Sequence, residues 1–78
     1  MSFMFELYYK SPEDEAVEAR IIAHVVAAGG RLDYREPADR EGGPVVLTFE
    51  FASREQAEVI AGVLRPRGEH VEGVSDYA

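Results

Sequence analysis

Two segments 42 residues apart carry the same alternation of apolar and polar side chains, and they constrain the fold more than any other feature of the chain. In Phe3–Lys10, residues Phe3, Phe5, Leu7 and Tyr9 fall on one side of an extended chain, and Met4, Glu6, Tyr8 and Lys10 on the other. In Val45–Phe51, residues Val45, Leu47, Phe49 and Phe51 oppose Val46, Thr48 and Glu50. Side chains alternate across a strand with a period of two, so each segment reads as a strand with one buried face. Overlaid, Phe5-Glu6-Leu7-Tyr8-Tyr9-Lys10-Ser11 matches Leu47-Thr48-Phe49-Glu50-Phe51-Ala52-Ser53, and both copies run from three inward apolar positions into a serine.

Each serine opens a helical pattern. Ser11 is the expected cap of the first helix, since a hydroxyl accepts a bond from a free backbone N–H. Pro12 suits the first helical position, where its missing donor costs nothing. Glu13, Asp14, Glu15 and Glu18 complement the positive end of the helix dipole, which explains them more cheaply than a cation site does. The helix is predicted to run to about Ala28, with Val17, Ile21, Val25 and Ala28 as its inward stripe and Ile22 and Val26 widening it. His24 lies at the margin of that stripe and is read as a surface or half-buried helix residue. Gly29-Gly30 supplies the left-handed stop. In the second half, Ser53 with Gln56 three residues later forms a capping-box pattern. Ala57, Ile60, Ala61 and Leu64 form the stripe, and Pro66 and Gly68 end the helix.

The intervening and final segments complete the set. Arg31–Glu36 reads as an edge strand with Leu32 and Tyr34 inward and Arg31, Asp33 and Arg35 outward. Residues 37–43 form a polar hairpin loop. Glu69–Tyr77 is a less regular last strand, in which a bulge at Gly73 brings Val71 and Val74 inward and leaves His70 and Glu72 outward. The strand–helix–strand repeat resembles the ferredoxin-like superfold across the whole of residues 1–78, as a single α+β domain. That resemblance implies a βαββαβ sandwich, a four-stranded antiparallel sheet in order 4-1-3-2 with two helices on one face, its crossovers right-handed. A superfold hosts many unrelated functions, so the resemblance by itself implies none.

Composition narrows the functional classes. The chain has 78 residues, enough for one domain. With no cysteine it offers no disulfide, thiolate metal site or thiol nucleophile, which points to the cytoplasm. No apolar run approaches the roughly 20 residues that span a bilayer, and the N-terminus lacks the basic segment of a signal peptide. The net charge of −7 repels phosphate backbones and anionic lipid, so neither nucleic acid nor membrane is the expected partner. A basic surface, a cation or a neutral ligand suits that charge better.

No phosphate-binding glycine loop, dinucleotide fingerprint or nucleophile elbow is present. RNA-recognition modules share the strand–helix order but stack bases on aromatics of both central strands. Here Val46, Thr48 and Glu50 occupy those positions on the third strand, and only Tyr8 on the first can stack. His70-x-Glu72, with Glu6 as a third group, is a weak signal for a metal site or an acid–base pair. No catalytic, cofactor or metal residue is assigned. The surface that stands out is the sheet face the helices leave bare: Met4, Glu6, Tyr8, Val46, Thr48, Glu50, His70 and Glu72. It reads as the contact surface of a small non-enzymatic interaction or regulatory module whose partner is a protein or a second copy in a homodimer, the apolar centre formed by Met4, Tyr8 and Val46. Ile22 and Val26 offer a second contact. The alternative is an effector-binding domain of the ACT type, which shares the topology. Such domains turn from strand one into helix one through a glycine-bearing ligand loop, where this chain has Lys10-Ser11-Pro12-Glu13.

Overall fold

A computed structural model describes residues 2–10, 12–65, 70–71 and 73–77. In chain order these form β1 (Ser2–Lys10), α1 (Glu15–Ala27), β2 (Arg31–Glu36), β3 (Pro44–Phe51), α2 (Arg54–Leu64), β4 (His70–Val71) and β5 (Ser75–Tyr77). The two alternating segments pair antiparallel in one unbroken register, with Phe5 opposite Phe49 and Leu7 opposite Leu47. That register puts both aromatic sets on the same side, where Phe5, Phe49 and Phe51 are almost wholly buried and Phe5 packs against both of the others. Ile21 and Val25 from α1 and Ala57, Ile60, Ala61 and Leu64 from α2 close the same core.

The four-stranded ferredoxin-like sheet expected from the sequence, in order 4-1-3-2, is not what forms. Three full strands make the antiparallel sheet, β1-β3-β2, and among the described residues no continuous fourth strand completes it. Two short pieces pair instead with different parts of β1: β4 opposite Leu7 and Tyr8, β5 opposite Ser2, Phe3 and Met4. The cause lies in the spacing of two valines. Val71 is buried and Val74 packs against the same core. Residues three apart cannot share a face of one regular strand, so Val71 and Val74 cannot both reach the core from a single unbroken strand.

The helix ends follow from local chemistry, with one correction. The N-cap of α1 is Asp14, whose carboxylate Oδ1 accepts from the N–H groups of Ala16 and Val17, each at 3.1 Å. Pro12 therefore precedes the helix, and Ser11 lies outside the described residues. At the other end Gly29 takes φ +87°, Gly29 N–H donates to Val26 and Gly30 N–H to Val25 at 2.9 Å, closing a Schellman turn. Gly30 is held against the Phe51 ring so closely that an added Cβ would sit 2.5 Å from it. Ser53 caps α2 through the Gln56 N–H, as the sequence indicates. Pro66 and Gly68, proposed to stop α2, lie outside the described residues.

The larger correction is in β2. Leu32 pairs with Phe49, but Tyr34 pairs with Thr48 and Arg35 with Leu47. Asp33 is one residue too many for the partner strand, a β-bulge that reverses the phase of everything after it. Tyr34, expected inward, is 61% exposed on the bare face. Arg35, expected outward, turns to the helix side.

Candidate functional site

On the face opposite the helices, register sorts the side chains into three rows running across β1, β3 and β2: Met4–Glu50–Arg31, Glu6–Thr48–Tyr34 and Tyr8–Val46–Glu36. These rows contain six of the residues expected to form the contact surface: Met4, Glu6, Tyr8, Val46, Thr48 and Glu50. His70 is brought beside them only by its backbone pairing with Tyr8. Glu72 lies outside the described residues. Among the described residues no group of three or more metal-ligating side chains forms, and the metal or acid–base reading of His70 and Glu72 gains no geometry.

The rows are not equally wet. Val46 is 9% exposed although it lies on the face opposite α1 and α2, whereas the middle row borders a groove of about 480 Å³ lined by Met4, Glu6, Asp33, Tyr34 and Thr48. Backbone breaks at both margins shape this groove. The bulge at Asp33 delivers Tyr34 and the Asp33 carboxylate to one side, and Gly73 and Ser75 border the other, where β4 and β5 are interrupted. Sequence reasoning missed Tyr34 and Asp33, because Arg31-Leu32-Asp33-Tyr34-Arg35-Glu36 alternates regularly and carries no bulge signal.

Charge on the face is organised around Arg31. Its guanidinium bridges Asp33 at 3.0 Å and pairs across the strands with Glu50. Arg35, the other basic residue of β2, has left this face. A hydrogen bond from Ser2, joined by Arg31, holds the Glu50 carboxyl below its usual range. Glu6 accepts a hydrogen bond from the Tyr8 hydroxyl at 3.1 Å. Two carboxylates, Asp33 and Glu50, thus share one guanidinium, and Glu6 in the next row adds a third acid, leaving the middle of the face net negative.

A second polar cluster sits on the helix side, joining the end of β1 to α1 and β2. Glu18 is 6% exposed and belongs to the helix side of α1, three residues before Ile21 and seven before Val25. Its carboxylate takes two bonds from Arg35 and one from the Tyr9 hydroxyl, and Arg35 reaches Glu13 at 2.5 Å. The Asp14 N–H donates to the Tyr9 oxygen at 3.1 Å. Arg35 bonding holds the Glu18 carboxyl below its usual range against the opposing effect of burial, while burial and the Glu18 bond raise the Tyr9 hydroxyl. The acids read as dipole complements therefore divide: Asp14 is a cap, Glu13 and Glu18 are ion-pair partners. Each Glu18 oxygen is occupied, and the cluster acts as a fastening between α1 and β2. The spacing of Glu18 on the apolar stripe was the sequence signal for its burial; nothing in β2 announced its partner.

His24 is half-buried on α1. Val26 is 58% exposed, while Ile22 packs against the core, so the second expected contact is reduced to one valine. No helix among the described residues is long and apolar enough to cross a membrane. A scan against protein-family models and a search of curated proteins both find no match for the chain.

Proposed function

We propose that the chain is a small non-enzymatic interaction module whose contact surface is the bare sheet face, centred on the row Glu6–Thr48–Tyr34. The observation that supports this most directly is the exposure of Tyr34. A large aromatic side chain is turned away from the core by a bulge and set over a groove with Met4, Glu6 and Thr48, on the face of the sheet opposite α1 and α2. Aromatic side chains with an apolar body and a polar tip are favoured at protein contacts, where they anchor the centre of a patch. The opposite cluster also borders an opening, between Glu13, Glu15, Glu18, Ala19, Ile22 and Arg35, but none of those lining residues is aromatic and its Glu18 carboxylate is already bonded by Arg35 and Tyr9.

Photo-crosslinking distinguishes this reading from an inert surface. A photoreactive residue replacing Tyr34 should capture a protein that the same residue at Val59, exposed on α2, does not capture. Capture should be abolished by Thr48→Arg, which places a long charged side chain in the centre of the face. Equal capture from both positions, or none from Tyr34, overturns the proposal. Sedimentation of the purified chain over a concentration series then tells whether the captured protein is a second copy.

A further inference from the structure

We infer that the groove between β1 and β2 seats a cationic side chain of a basic partner segment, with Glu6 and Asp33 receiving the charge and Tyr34 the apolar stem. This rests on the reading of the bare face as a contact surface and names the chemistry of what covers it. Glu50, Asp33 and Arg31 form a three-member network in which one guanidinium serves two carboxylates. Glu6 accepts from the Tyr8 hydroxyl. An ionised carboxylate offers about four acceptor positions, so Glu6 and Asp33 retain capacity on the groove side. Further along the face, Lys10 and Glu36 offset each other and do not change the sign at the centre.

The neighbours decide which cation. Tyr34 pairs across the strands with Thr48, which pairs with Glu6, so an aromatic ring and a carboxylate stand on either side of one threonine. Met4 adds a polarisable apolar wall. An arginine or lysine is a charged head on an apolar stem: it stacks on tyrosine, gains from the ring quadrupole, and lays its methylene groups against apolar walls. Guanidinium is favoured, being planar, weakly hydrated and able to fork between two acceptors. A second copy packed face to face would bring two net-negative centres together, and like charges across an interface oppose binding. The observations therefore favour a basic partner over self-association.

The test uses the whole chain and two blocked peptides, Gly-Arg-Gly-Arg-Gly and the same sequence with citrulline at both arginines, followed by amide chemical-shift titration. Citrulline keeps the shape and removes the charge. The arginine peptide should shift the amides of Met4, Glu6, Tyr34 and Thr48, with an affinity that falls several-fold as salt rises, and the citrulline peptide should leave them unmoved. Glu6→Gln should weaken binding at least threefold, and Tyr34→Ala should do the same while leaving the charge unaltered. Shifts centred on the acids at the start of α1, or an unchanged affinity in both variants, overturn the inference. Equal binding of both peptides to the groove overturns the cationic specificity and leaves the contact surface standing. Crosslinking that fails at Tyr34 removes the surface itself.

Discussion

Arg35 grips both carboxylate oxygens of Glu18, Nε to Oε1 at 2.7 Å and Nη2 to Oε2 at 3.0 Å, and so ties the edge strand β2 to the first turn of α1. The pair is asymmetric in burial: the Glu18 side chain is 8% exposed and that of Arg35 31%. Taking Arg35 away leaves a buried carboxylate with the Tyr9 hydroxyl as its remaining bond. The unpaired charge, more than the lost contact, sets the cost. Arg35→Gln should lower stability by about 1–3 kcal/mol, the water at the Arg35 end softening the loss. Glu18→Gln alone should cost less, since it removes the charge along with its need for a partner. The measurement is urea unfolding of both single variants and the double, and additivity would show that the pair does not couple.

The same pair sets the acid limit of the fold. The groups facing Glu18 are Tyr9 from β1, Arg35 from β2, and Glu13 and Asp14 from the turn before α1. Arg35 lowers the Glu18 pKa in the folded chain below the ordinary 4.5. A depressed carboxyl contributes stability above its unfolded value and loses it as pH falls through the folded one. Urea midpoints should therefore decline below about pH 4.5, and decline less steeply in Arg35→Gln. An identical acid slope in the two proteins would disconnect Glu18 from acid unfolding.

At the alkaline end the sign reverses. The Tyr9 hydroxyl is raised above its ordinary 10.0, first by burial and then by the bond to Glu18. A raised group contributes stability below its unfolded value and loses it as pH climbs through the folded one. Phenolate absorbance should show one tyrosine that ionises last, and Tyr9→Phe should remove that component while leaving the others. Should the late component survive in Tyr9→Phe, the hydroxyl does not hold the position described.

What the sequence makes legible follows from which signals are periodic. The register of β1 against β3 and the stripe of α2 could be read because every residue in them obeys a single period, 2 in the strands and 3.6 in the helix. Bulges leave no such trace. Arg31–Glu36 alternates without fault, and the phase change at Asp33 becomes visible only once Tyr34 is opposite Thr48. The choice is tertiary: Arg35 on the helix side satisfies Glu18, and Tyr34 must then take the open side. The broken C-terminal pairing was half legible. The three-residue spacing of Val71 and Val74 required an irregularity, and a bulge was the smallest one available. Of the candidate surface, the β1 and β3 positions were readable for the same periodic reason, and the β2 contribution was not.

Core substitutions test the two-strand register directly. Phe49 is fully buried, opposite Phe5 and against its ring at 5.5 Å between centroids. Phe49→Ala should cost about 3–5 kcal/mol, combining lost transfer energy with the cavity left behind. In a chain of 78 residues that is a large share of the whole stability. Circular dichroism against urea for Phe49→Ala and the milder Phe49→Leu should show a graded loss. Indifference to both changes would place the ring outside the core.

A sharper test concerns the end of α1, where backbone and ring meet. At Gly30 a Cβ would stand 2.5 Å from Phe51 Cε2 and 2.6 Å from Cζ, well inside contact distance, and the Phe51 ring is 1% exposed with no room to swing away. Gly30→Ala should therefore destabilise by about 1–3 kcal/mol through overpacking, although alanine elsewhere is the more favourable residue. Phe51→Leu removes the two nearest of the three ring atoms that collide while costing the core part of its volume. The two changes should partly relieve one another, so that the double variant is more stable than the sum of its parts predicts. Thermal or urea unfolding of the three proteins measures that coupling. Strict additivity would mean that the ring and the Gly30 backbone do not touch, and the packing of the α1 terminus onto β3 would need a different explanation.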